Sequence, residues 1–147
     1  HKEYRRQRQM CIRDRSIEES RRLIEFVREQ YIINGIGRWA VTEKSSGAFI
    51  GWAGLKYITE PLNGHINIYD VGYRLIKKYW GKGYGTESAL ASVQYAWNVM
   101  QLKELYGAAA IDNIASRKIL EKTGLKQTGT FEHNGIECAW YKMEKGK

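Results

Sequence analysis

The run Gly81-Lys82-Gly83-Tyr84-Gly85-Thr86 brings three physical effects together. Glycines let a backbone approach a ligand closely and adopt positive φ, while the first N–H groups of a helix lack intrahelical partners and lie at the positive end of its dipole. A loop of this kind is suited to phosphate. Lys82 is placed for a charge-assisted contact, and Thr86 either caps the helix or bonds a phosphate oxygen. Tight strand-to-helix packing also calls for glycine, so the spacing has to discriminate. Gly81-x-Gly83-x-Gly85 is not the G-x-G-x-x-G of dinucleotide folds, and no G-K-[ST] is present for a nucleoside triphosphate. A phosphate-bearing cofactor other than a dinucleotide or ATP is left.

The elements around the loop follow from periodicity. Ser16, with Glu19 three residues on, opens a helix as a capping box, with Leu23, Ile24, Val27 and Tyr31 at helical spacing and Asn34-Gly35 at its end. Residues 38–43 and 49–57 read as a hairpin across Lys44-Ser45-Ser46-Gly47, and residues 66–75 as a third strand of the same meander. Beyond the glycines, Ala89, Leu90, Val93, Ala96, Trp97 and Met100 trace one face of a helix. Residues 105–111 suit a buried strand, Asn113 caps a second helix that Gly124 ends, and Asn134-Gly135 joins two final strands. The order of elements predicts an α+β fold: a mixed, mostly antiparallel sheet with helices packed on it.

Length and charge bound the rest. A chain of 147 residues supports one core. No apolar run reaches membrane-spanning length, no leader peptide is apparent, and Cys11 and Cys138 lie apart from any Cys/His cluster. A cytoplasmic protein without a metal and without a membrane partner is expected. Of the net charge of +8, half falls in residues 1–15. There Met10-Cys11-Ile12-Arg13-Asp14 looks like the translation of a transposon end used to build sequencing libraries. Residues 1–15 are expected to be a non-native or disordered basic segment and residues 16–147 the domain. With the remaining charge ordinary for a soluble enzyme, nucleic acid is not expected as a partner.

Gly72-Tyr73-Arg74-Leu75, then Tyr79-Trp80 leading into the glycine loop and Glu87, then Asn113-Ile114-Ala115-Ser116 through Leu120-Glu121-Lys122-Thr123-Gly124-Leu125, together resemble the RimJ/RimL-type branch of the GNAT acetyltransferases. The resemblance runs from about Ser16 to the C-terminus. It implies the GNAT-like sheet, with acetyl-CoA as cosubstrate and no metal. Backbone amides of Gly81, Lys82, Gly83, Tyr84, Gly85 and Thr86 would cradle the CoA diphosphate, and the strand end at Leu75 and Ile76 would bond the pantetheine arm and stabilise the oxyanion. Asn113 matches an asparagine that contacts pantetheine, although a plain helix cap accounts for it as well. Asp70 stands where relatives often have a glutamate proposed as general base, and otherwise reads as a solvated or paired carboxylate. Ser116 resembles a serine assigned to protonate the departing thiolate, and otherwise only satisfies backbone donors; Tyr73 is a weaker catalytic candidate or a pocket wall.

Two departures from the family pattern stand out. Leu120 occupies the place of a tyrosine acid, and the strand and helix with which relatives begin are expected to be lacking ahead of the element that starts at Ser16. His65 and His133, flanking hairpin turns, are expected to be exposed, and Trp39, Trp52, Trp97 and Trp140 to line core or pocket. The activity implied is N-acetyl transfer to a primary amine, on a small molecule or a protein N-terminus. The competing reading is an acyl-CoA-binding or regulatory domain without turnover. Nothing in the sequence indicates an oligomeric state.

Overall fold

The computed structural model describes residues 17–146. The capping box at Ser16 and the basic segment before it lie outside the described residues. Helix α1 (Ile17–Asn34) leads into strands β1 (Arg38–Thr42), β2 (Phe49–Ile58) and β3 (Ile68–Leu75). A 3₁₀ turn (Lys77–Tyr79) then gives way to α2 (Tyr84–Asn98), β4 (Glu104–Ala110), α3 (Ile114–Lys122), β5 (Lys126–His133) and β6 (Ile136–Glu144). The six strands form one sheet in the order β1-β2-β3-β4-β6-β5, antiparallel except for the β3–β4 pair. This is the α+β architecture expected from the order of elements.

Turn chemistry is local, and it lands where the residue types put it. Asn134 and Gly135 both have positive φ, and Gly124, at φ 101°, follows α3 while Leu125 N–H bonds back to the Leu120 carbonyl. Strand β3 begins at Ile68 rather than residue 66, because Asn67 is left-handed and its N–H closes the turn onto the Ile58 carbonyl.

Successive strand residues face opposite sides of the sheet. One side carries Leu55, Val71, Leu105, Ala109 and Tyr141, packed with Val93 and Ala96 of α2 and Leu120 of α3. A smaller cluster on Ile58, Ile68, Tyr106 and Trp140 is joined by Leu62 and Phe131. There the structure corrects one expectation: His65 is not free on its turn but stacks on Trp140, ring centroids 5.4 Å apart and planes 14° from parallel, and meets Tyr106 at 5.3 Å. The aromatic surface below the turn is what holds the imidazole. Among the described residues no helix is long and apolar enough to cross a membrane.

Candidate functional site

The ends of three elements lie close together at one side of the sheet. They are the C-terminal end of β3, the N-terminus of α2 and the N-terminus of α3. A side chain at Gly85 would come within 2.8 Å of Ile119 Cδ1, so glycine is what lets the first turn of α2 lie against α3.

The glycine loop has the conformation that its composition demands. Gly81 and Gly83 have φ of 75° and 84°, where other residues are strained, and a Cβ at either would meet no atom within 4 Å. Their backbone faces open space. Gly83 is the N-cap of α2 and has no side chain to cap it, and Thr86 lies inside the first turn rather than at the cap. The amides of the first turn are left to a ligand or solvent. Lys82 lies 5.6 Å from the Tyr79 ring and Lys78 5.2 Å from it, which gives the loop a cationic rim. The Tyr84 hydroxyl donates to Glu43 at 2.7 Å and so ties the loop to the end of the β1–β2 hairpin.

At the strand end the Ile76 N–H, expected to serve the pantetheine arm, bonds the Ile50 carbonyl at 2.8 Å, within the sheet. Antiparallel alternation then turns the N–H and C=O of Leu75 away from β2. The carbonyl accepts from Trp80 Nε1 at 2.8 Å. The parallel β3–β4 pairing is registered at Asp70 opposite Tyr106, five residues before Leu75. Unlike the Ile76 N–H, the Leu75 N–H is therefore not bonded to β2.

Asp70 is a paired carboxylate. Arg38 Nη2 lies 2.9 Å from its Oδ1, and Arg38 Nη1 bonds the carbonyls of Gly54 and Asp70. Asn113 caps α3, its Oδ1 accepting from the Ser116 N–H at 3.1 Å. The Tyr73 hydroxyl donates to the Ser116 carbonyl at 2.7 Å and lies 3.2 Å from Ser116 Oγ. Burial pushes the Tyr73 phenol up to about 12. The hydrogen bonds of Trp80 and Arg38 escaped the sequence reading, since they join positions that only the folded register brings together. Leu120 is 1% exposed within the core and presents no polar atom.

The fold is a six-stranded mixed sheet in which a glycine-led helix without a side-chain cap follows the strand that pairs in parallel with β4. The sequence profile described as Acetyltransferase (GNAT) domain matches residues 2–126, and the chain belongs to that family. It is 31% identical over 102 residues to the FsC-acetyl coenzyme A-N(2)-transacetylase of Aspergillus fumigatus, a match over 67% of this chain and 43% of the relative. The chain thus spans less than half the length of that relative. The fold is similar to that of a Bordetella pertussis protein described as a GnaT-family acetyltransferase, with a TM-score of 0.79 at 15% identity over 88% of this chain and 78% of that one. It is also similar to that of the ribosomal-protein-S5-alanine acetyltransferase of Vibrio fischeri, with a TM-score of 0.70 at 21% identity over 86% and 70% of the two chains.

Proposed function

We propose that the chain is an N-acetyltransferase of the RimJ/RimL type, which moves an acetyl group from acetyl-CoA to a primary amine by direct attack in a ternary complex. The observation that carries this reading is the loop at Gly81 and Gly83, left-handed, facing open space and set at the uncapped start of α2. Amides of residues 81–86 hold the CoA diphosphate, with Lys82 adding charge, and the Leu75 N–H and the Asn113 side-chain amide serve the pantetheine and thioester end. Ser116 stands at the leaving sulfur. Asp70 was the other catalytic candidate; its engagement with Arg38 favours a role in holding β1 to β3. The acceptor is an amine on a small molecule or on a protein N-terminus, as expected of this branch.

Titration of the full chain with CoA by calorimetry, followed by thiol release from acetyl-CoA across a panel of amines and N-terminal peptides, tests the proposal. Absence of heat with CoA would sink it. The buried, apolar Leu120 favours the second reading, a domain that binds acyl-CoA without turnover. Heat with CoA and no thiol release with any acceptor would select that reading.

A further inference from the structure

We propose that Tyr73 is a positioning residue for the departing thiolate, holding Ser116 so that the serine hydroxyl donates to the sulfur freed when the acyl group leaves. This inference rests on the acyl-transfer reading above. A carbonyl can only accept, so the 2.7 Å contact between Tyr73 Oη and the Ser116 carbonyl uses the single phenolic proton. At 3.2 Å, Ser116 Oγ must then be the donor to Tyr73 Oη. The serine is held at three atoms: its amide by Asn113, and its carbonyl and hydroxyl by Tyr73.

A serine in the first turn of a helix usually swings between solvent and nearby backbone groups. Here one partner, arriving from β3 across 43 residues of sequence, selects its rotamer. Burial raises the phenol to about 12, so the proton it donates to the Ser116 carbonyl stays in place through the neutral range. Leu120, one turn further along α3, has no proton to offer in its place.

The step balances without a covalent change at either residue. The amine nitrogen bonds the acyl carbon, the C–S bond breaks and its electron pair stays on sulfur. Ser116 Oγ–H turns from Tyr73 Oη to that sulfur and donates a hydrogen bond, and the proton shed by the amine reaches the thiolate through solvent.

CoA itself is the probe, because its thiol titrates and its thiolate absorbs in the ultraviolet. On the full chain, bound CoA should titrate lower than free CoA by about one unit, the effect of one hydrogen bond to a charged sulfur. Tyr73→Phe should lose at least half of that lowering, Ser116→Ala all of it, and Ser116→Thr should restore most of it, with calorimetric affinity for CoA changed less than about threefold in each. A Tyr73→Phe variant that binds CoA and titrates as the parent does overturns the inference. If that variant does not fold, Ser116→Ala decides alone: an unaltered thiol titration overturns the inference, and its loss, with Ser116→Thr rescue, supports it. Calorimetry separates the two levels, since a parent chain that gives no heat with CoA brings down the acyltransferase reading itself.

Discussion

Arg38 reaches Asp70 through the space that Gly72 leaves empty: Nη2 lies 2.9 Å from Oδ1, and a Cβ at Gly72 would sit 2.6 Å from that same nitrogen. One guanidinium thereby joins three neighbouring strands, since it leaves β1, bonds Gly54 on β2 and grips Asp70 on β3. Asp70→Asn should lower unfolding free energy by about 1–3 kcal/mol. That is less than for a fully buried pair, because the side chains are 17% and 15% exposed. Urea denaturation measures this, and turnover with acetyl-CoA measures the alternative. A fall of a hundredfold or more in kcat at unchanged stability would restore Asp70 as the general base.

Gly83→Ala separates ligand binding from folding. The left-handed φ should cost about 1–2 kcal/mol, with no steric penalty because the added methyl meets nothing within 4 Å. The same methyl would stand in the space assigned to diphosphate, so affinity for CoA should fall at least about tenfold. Gly35→Ala is the control, as Gly35 is also left-handed, at φ 75°, with open space at its Cβ. It should lose similar stability and no CoA affinity in paired calorimetry and thermal melts.

What could be read from the sequence is what short-range chemistry decides. Asn134-Gly135, Gly124, Gly81 and Gly83 are residue types that favour positive φ from local chemistry alone, and each adopts it. Helical spacing marks a stripe but not its edges: on α1, Leu23, Val27 and Tyr31 turn inward while Ile24 is 57% exposed. The bonds at the site were out of reach for a different reason. Arg38 to Asp70 spans 32 residues and Tyr73 to Ser116 spans 43, and both depend on strand register, where a slip of one residue reverses every side chain. The partner of the Ile76 amide was out of reach for the same reason, since only the β2–β3 pairing reveals that it bonds the Ile50 carbonyl.

Acid should loosen the clasp between the β1–β2 hairpin and the cofactor loop. Hydrogen bonds from Tyr84 and then Ser46, with Lys82 nearby, hold the Glu43 carboxyl below the usual carboxylate range. A carboxyl depressed in the folded state adds stability above its unfolded pKa and loses it as pH falls through its folded pKa. The melting temperature of the parent should therefore exceed that of Glu43→Gln near neutrality, and the gap should close as pH falls below the usual carboxylate range. A gap that stays constant through that fall would show that the Tyr84 hydroxyl does not depend on the charge of Glu43.

Leu120 tests whether the position that differs from the family pattern is structural. It is 1% exposed, and a Cβ at Gly107 of β4 would come within 3.0 Å of its Cδ2, so the side chain fills the seam between α3 and the sheet with no slack. Leu120→Ala should destabilise the fold by about 2–4 kcal/mol through lost burial and the cavity left behind. Leu120→Tyr should also destabilise it, by about 1–3 kcal/mol, since the larger ring has no room against Gly107 and its hydroxyl would need a partner in an apolar core. Because the amides of the Gly81–Gly85 loop do not depend on this residue, CoA affinity at a temperature where both variants are folded should stay within about threefold of the parent. Denaturant midpoints and calorimetry on the same samples give both numbers. A Tyr variant that keeps full stability and gains turnover would mean that the seam opens onto the thioester site and that Leu120 limits the chemistry.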